Sequence, residues 1–448
     1  MARWKQGHIT PAQVIMAGFG AIILAGTLLL CLPFATASGR SAGLETALFT
    51  ATSATCVTGL ILQDTATFWS PFGQAVILLL IQIGGLGVVT MALALSILTG
   101  RKIGLRQRWV MQESISAPQV GGIVRQTRFI LRAAACVEGA GALLLCLYFI
   151  PRLGFLRGLW YALFHSVSAF CNAGFDLMGA VTGPFTSMTA GVADGYLNVV
   201  LCLLIVLGGL GFLVWRDLLD CRGDFRRLRL HAKLVLCVTG ALLLLGFVFF
   251  YFYEFRCRQW REMDGATRFW AAVFQSVTPR TAGFNTVDQA ALSEPGQLVT
   301  LLLMLTGGSP GSTAGGMKTT TLAVLLLGTW AVFHHQESPE CFGRRLPGEV
   351  LRSALALLML YLLLVFAGGT AICMLEGVPL MPALFEAASA IGTVGLSQGL
   401  TPLLGTPSRL ILIFLMYLGR VGGLTMMYAM SAGRPGHFRL PQERVTVG

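Results

Sequence analysis

The sequence is short of charge. Only 12% of its 448 residues are Asp, Glu, Lys or Arg, about half the ~25% of a soluble globular chain. That shortage excludes an ordinary soluble surface. Histidine is scarce as well. There are six, and His165, His334 and His335 form no catalytic pattern with the aspartates, so nothing marks an enzyme. The 11 cysteines are scattered, many inside apolar runs, and no C-x-x-C pair occurs. They read as small hydrophobes, not as a disulfide or metal framework. No His/Cys ligand set suits a transition metal. Alternating ten-residue strands are missing, which disfavours a β-barrel. No cleavable signal peptide stands apart, because the first apolar run continues as a span.

What is present is hydrophobic length. Apolar residues make up 55% of the chain and the mean hydropathy is +0.73. The chain reads as an all-α integral membrane protein whose first partner is the lipid bilayer. Its net charge of +12 would suggest nucleic acid in a soluble chain. Here the basic residues sit mostly in short loops between spans, where they report topology instead.

A fourfold repeat organises the apolar segments. Each unit reads as span, short apolar run, glycine-bearing loop, long span. The first spans run roughly over residues 14–33, 133–150, 234–253 and 355–375. The short runs cover 43–55, 158–170, 266–277 and 382–391. A crossing helix needs about 20 apolar residues, whereas runs of about 10–14 fit re-entrant segments. The long second spans are expected over 72–98, 197–215, 298–332 and 410–430, with only the third clearly interrupted. The unit boundaries are then 1–100, 101–222, 223–335 and 336–448. The central glycines Gly59, Gly174, Gly283 and Gly395 are separated by 115, 109 and 112 residues, and a fixed period is to be recognised before any fold is chosen. The expected fold is four tandem span–pore helix–filter loop–span units, in pseudo-fourfold arrangement around one central pore, with eight full spans.

Orientation follows from Lys and Arg. Twenty-one lie on the side of the termini and nine on the other, with Lys318 and Arg420 inside apolar segments. The richer side is expected to be cytoplasmic, so both termini are cytoplasmic and the loops enter from outside.

Irregular backbone at membrane depth is either buried in protein or lines a watery path. Four loops about one axis can surround a dehydrated monovalent cation with main-chain oxygens. The candidate filter is Cys56, Val57, Thr58, Gly59; Cys171, Asn172, Ala173, Gly174; Arg280, Thr281, Ala282, Gly283; and Gly392, Thr393, Val394, Gly395. Side chains vary while the last glycine stays, so the backbone is expected to coordinate. The short helices end at the loops, and their C-terminal partial negative charge favours a cation. Asp64, Asp176 and Asp288 follow the glycines closely. They either concentrate cations at an outer mouth or simply solvate loops. Gly84, Gly85, Gly208 and Gly209, in GGLG runs, read as close helix packing.

These motifs carry a resemblance. ATSATCVTGL (51–60), HSVSAFCNAGFD (165–176), QSVTPRTAGFNTVD (275–288), ASAIGTVGLSQG (388–399), GGSPGSTAGGMKTTT (307–321) and GRVGGLT (419–425) resemble the Trk/Ktr/HKT superfamily of potassium transporters over essentially the whole chain. Eight spans without two extra N-terminal ones are more similar to the Ktr membrane subunit, KtrB, than to TrkH. The resemblance implies a K+-selective subunit of the plasma (inner) membrane, with K+ at the filter as the transported ion, since all four filter positions are glycine. It further implies a homodimer with one pore per subunit and a cytosolic ring of KtrA-like regulatory subunits. ATP or ADP control would come only through that partner. Na+ dependence is common in Ktr systems, and no residue here marks a sodium site.

The resemblance also points to a gate. Gly307, Gly308, Ser309, Pro310, Gly311, Ser312, Thr313, Ala314, Gly315 and Gly316 interrupt the third unit's long segment. Glycine costs a helix about 1 kcal/mol and proline about 3, so this stretch should unwind, as a mobile loop under the filter or as a rigid kink. Lys318 and Arg420 are basic residues at costly depth. They form an electrostatic pore barrier or snorkel to the cytoplasmic surface. The competing class is an alternating-access secondary transporter for another small cation or solute, which would predict inverted repeats.

Overall fold

A computed structural model describes residues 10–88, 90–91 and 123–423. The basic loop from Arg101 to Arg108 and both chain termini lie outside the described residues, as do the expected span ends beyond residue 91 and residue 423.

The longer helices repeat as a long helix, a short helix and a second long segment, which is split in two in units two and three. Unit one has α1 (Pro11–Leu30), α2 (Leu44–Thr55) and α3 (Pro71–Leu86). Unit two has α4 (Ile123–Leu153), α5 (Phe155–Phe170), α6 (Gly195–Leu210) and α7 (Phe212–Asp220). Unit three has α8 (Leu230–Phe252), α9 (Gly265–Val277), α10 (Glu294–Leu305) and α11 (Thr319–Phe333). Unit four has α12 (Gly348–Glu376), α13 (Leu380–Gly392) and α14 (Thr406–Val421). A two-residue hairpin, Glu340–Cys341 with Arg344–Arg345, precedes α12.

Burial is inside out relative to a soluble protein. The short helices are the most enclosed. In α2 every residue from Phe49 to Thr55 is buried, hydroxyls included. The long first helices keep large apolar side chains outward. Leu28 is 70% exposed, Leu147 70% and Leu245 65%, a surface that suits hydrocarbon. Among the described residues, four helices are long and apolar enough to cross a membrane: Pro11–Leu30, Val124–Leu153, Leu230–Arg256 and Gly348–Glu376. The bent pair α6 and α7 makes a fifth if counted together.

The shortfall from eight has a local cause, and it corrects the expectation of a single interrupted span. The second helices start on strong caps. Ser70, Asp194 and Ser293 each accept an N–H from the first turn, and proline follows Ser70 and Ser293 within two residues. All of them then stop early. Gly87, Gly211 and Gly422 sit at φ 89°, 89° and 94°, with ψ of 130–137°, a region that essentially only glycine enters. At Gly211 the chain turns by 91° from α6 to α7. The fourth break, between α10 and α11, is the glycine-rich stretch.

The other glycines of these runs set packing distance. A Cβ at Gly84 would lie 2.0 Å from the Thr55 carbonyl oxygen. At Gly208 it would lie 1.9 Å from that of Phe170, and at Gly419 2.0 Å from that of Ile391. Each oxygen belongs to the last turns of a short helix, four residues before its central glycine. Main-chain oxygens at a helix end cannot step aside. Gly208→Ala should therefore cost several kcal/mol, beyond the ~1–3 kcal/mol typical of overpacking. The expected readout is loss of the monodisperse species in detergent, seen by size exclusion and thermal melting.

Two carboxylates, the buried Glu254 and the half-buried Glu376, join consecutive spans. Glu254, past the end of α8, accepts the Ser293 N–H at 2.9 Å. Glu376, at the end of α12, accepts the Gly405 N–H at 2.8 Å. Each fixes where the next second helix begins.

Candidate ion-conducting site

The four glycine loops meet. A Cβ built on Gly59 would lie 2.5 Å from the Ala173 carbonyl oxygen and 3.2 Å from the Gly174 Cα. One on Gly174 would lie 2.9 Å from both the Ala282 oxygen and the Gly283 Cα. One on Gly283 would lie 2.3 Å from the Val394 oxygen and 3.3 Å from the Gly395 Cα. One on Gly395 would lie 2.3 Å from the Thr58 oxygen and 3.0 Å from the Gly59 Cα. Contact passes from loop one to two, three, four and back to one. All four glycines line one cavity of about 660 Å³.

Each loop has the same backbone signature. Val57, Asn172, Thr281 and Thr393, two residues before the glycine, have φ of 57°, 57°, 68° and 51°. The glycines have φ of 92°, 68°, 79° and 93°. Three of the four left-handed residues are β-branched, where that conformation is an outlier. Such strain, of order 1–3 kcal/mol each, persists only where the surroundings over-determine it.

Hydroxyls supply part of that constraint. Ser53 and Ser389 accept the N–H of Gly59 and Gly395 at 3.1 and 3.0 Å. Ser168 and Thr278 donate to the carbonyls of Phe175 and Phe284 at 2.6 and 2.7 Å. These four residues were not anticipated. The available signal was a hydroxyl five or six residues before each glycine.

Asp64, Asp176 and Asp288 line the same cavity as the glycines. Asp64 also has structural work. Its carboxylate accepts the Thr67 N–H at 2.9 Å and the Phe185 N–H at 3.1 Å. Asp176 accepts the Met178 N–H at 2.9 Å. Burial pushes its carboxyl up to about 6, and the neighbouring Asp64 charge adds to the shift. The Arg280 side chain points away from the ring, toward the Thr239 hydroxyl at 3.4 Å.

Beneath the loops lies a second cavity, of about 250 Å³, lined by Gly311, Ser312, Ala314, Gly316, Lys318 and Arg420 among others. The stretch from 307 to 316 is folded back on itself and tied down. The Gly307 N–H donates to the Met317 carbonyl at 2.7 Å, and the Ser309 N–H to that of Gly209 at 2.9 Å. The Thr313 hydroxyl donates to the Phe170 carbonyl at 2.9 Å. A Cβ on Gly315 would meet the Thr393 Oγ1 at 2.1 Å, so the stretch lies directly against glycine loop four. Both half-buried cations turn to main-chain carbonyls. Lys318 Nζ donates to the carbonyls of Ala314 and Gly315 at 2.7 and 3.3 Å. Arg420 donates to the carbonyls of Thr313 at 2.5 Å, Gly85 at 3.0 Å and Gly84.

The family profile described as TrkH, cation transport protein, matches residues 8–437. The chain belongs to the TrkH family of cation transport proteins. Its similarity to characterised relatives runs end to end. It is 39% identical to the potassium/sodium uptake protein NtpJ of Enterococcus hirae, over 100% of this chain and 99% of the relative. It is 38% identical to the Ktr system potassium uptake protein B of Bacillus subtilis, over 99% and 98%, and 34% identical to the protein of the same name from Vibrio alginolyticus, over 97% and 94%. The fold resembles the crystal structure of the potassium transporter TrkH from Vibrio parahaemolyticus. The TM-score is 0.71 at 18% identity, covering 98% of this chain and 88% of that one. TrkH-family membership makes this a membrane transport protein, in keeping with its apolar helices.

Proposed function

We propose that this chain is the K+-translocating membrane subunit of a Ktr-type uptake system, with the glycine ring as its selectivity filter. The observation that carries the reading is the closed circuit of glycine contacts, in which the carbonyls of Thr58, Ala173, Ala282 and Val394 each abut the preceding loop's glycine. A dehydrated alkali cation needs oxygens on all sides, and four loops of one polypeptide can supply them. The uptake of potassium named for three relatives of matching length supports K+ as the cargo. Na+ as a coupling or activating ion belongs to the same proposal, through the potassium/sodium relative.

The proposed architecture is four pore units, bounded at 1–100, 101–222, 223–335 and 336–448, in pseudo-fourfold arrangement. Eight crossings are made, each second crossing by a helix broken at glycine. The stretch from Gly307 to Gly316 acts as the gate, Arg420 and Lys318 form the barrier, and the three aspartates form the outer mouth. Termini on the cytoplasmic side of the plasma membrane, a homodimer and a KtrA-like nucleotide-binding ring complete the proposal.

The test is uptake in cells that cannot otherwise accumulate potassium. Expression of the chain, with a KtrA-type partner, should restore growth at low K+. Uptake of K+ should exceed that of Na+ under equal gradients. Uptake indifferent to the cation, or strict exchange of one solute for another, would defeat the reading.

A further inference from the structure

After its glycine each filter loop turns outward, and that outgoing limb has to be held. In loops two and four the holder is a polar side chain from the short helix, nine residues before the glycine. In both, the main-chain N–H that it accepts lies three residues after the glycine. His165 Nε2 accepts the Leu177 N–H at 3.2 Å. Its Nδ1 lies 2.7 Å from the Tyr161 carbonyl oxygen. A carbonyl can only accept, so Nδ1 carries the proton and the ring is neutral. The imidazole is fully buried and stacks on Phe149 at 5.2 Å between centroids. Glu386 stands at the matching position of loop four. It accepts the Gln398 N–H at 3.1 Å, and the hydroxyls of Ser397 and Thr401 at 2.6 and 2.5 Å.

The register repeats while the chemistry differs, so what recurs is the tie between helix and limb. At the same position loops one and three have Thr50 and Phe274. Phe274 has no acceptor. Loop three uses instead a reciprocal pair one residue on, Gln275 and Gln289, at 2.9 and 3.1 Å. In the circuit of glycine contacts, loops two and four are not neighbours. They face each other across the ring.

We propose that His165 and Glu386 are positioning residues for ion selection. They hold the two opposed loops against spreading, and so keep the glycine ring at the width of a dehydrated K+. This rests on the filter reading above. A ring free to widen or shrink accommodates Na+ as readily as K+, and a site held by its supporting contacts keeps its geometry.

The test is the K+/Na+ uptake ratio of the full-length protein in proteoliposomes. His165→Phe keeps the ring and its stacking but drops both hydrogen bonds. Glu386→Ala removes the carboxylate. Each should lower the ratio by about tenfold, the scale of one lost buried tie. Glu386→Gln, whose amide oxygen still accepts the Gln398 N–H, should stay within a few-fold of wild type, about what a weaker, uncharged tie costs. Folded His165→Phe and Glu386→Ala with unchanged ratios would overturn the proposal. Should those forms not accumulate, His165→Asn, too short to reach Leu177 and Tyr161 together, takes their place. An unchanged ratio in it overturns the proposal equally. A wild-type chain with no K+ preference defeats the filter reading itself, before any variant is compared.

Discussion

Gly283→Ser and Gly395→Ser should each lose most of the preference for K+ over Na+. Both changes put a Cβ 2.3 Å from a main-chain oxygen of the adjacent loop, Val394 in one case and Thr58 in the other. Neither oxygen can yield alone, because each belongs to a loop locked by its own hydroxyl and its own left-handed residue. The φ values of 79° and 93° add strain for any residue with a Cβ, of order 1–3 kcal/mol. The accommodation must be a turn of the carbonyls proposed to face the ion. If coordination of K+ loses about 2.7 kcal/mol relative to Na+, discrimination falls about a hundredfold. The measurement is paired K+ and Na+ uptake in potassium-requiring cells, normalised to inserted protein. Gly43→Ser is the control. Its φ is 78°, but nothing lies within 4 Å of a built Cβ, so backbone strain is present without a crowded ring. Equal K+ preference in all three variants and wild type would remove the glycine ring from ion selection.

How much of this was legible beforehand depended on what each residue does. The short helices were readable to within three residues at either end. The run expected over 43–55 is the helix Leu44–Thr55, because a short apolar stretch ending in turn chemistry has few other uses. The meeting of four glycines followed from their spacing. The breaks at Gly87, Gly211 and Gly422 were not readable. Hydropathy continues through them, and glycine's two abilities, smallness and positive φ, look identical in a sequence. Packing was expected of the GGLG runs and is what Gly84 and Gly208 do, while the last glycine of the same runs ends the helix. Val57, Thr281 and Thr393 were illegible for the opposite reason. Local propensity argues against β-branched residues in left-handed backbone, and only complete burial between neighbouring loops overrides it. The ties made by His165 and Glu386 were not readable either. Their partners are main-chain amides, which no residue type announces.

Arg420→Ala should raise K+ flux, by roughly tenfold or more. A unit charge about 8 Å from a passing ion, at an effective dielectric near 20, raises the ion's energy by about 2 kcal/mol. Its removal lowers that barrier. The structure adds a second contribution of the same sign. Arg420 ends α14 in unit four, yet its guanidinium donates to Thr313 in the glycine-rich stretch of unit three and to Gly84 and Gly85 at the end of α3 in unit one. It therefore fastens the stretch beneath the glycine ring to two other units, at a depth where no carboxylate pairs with it among the described residues. Alanine removes charge and fastening together, and Arg420→Gln separates them. Glutamine is neutral but can still donate to one or two of the three carbonyls. If repulsion dominates, glutamine should match alanine in flux. If fastening dominates, it should fall midway between alanine and arginine. Unchanged or lower flux in correctly inserted Arg420→Ala protein would show that this arginine neither repels the ion nor holds the stretch closed. Its three carbonyl contacts would then serve only to satisfy helix and loop ends that the glycine breaks leave open.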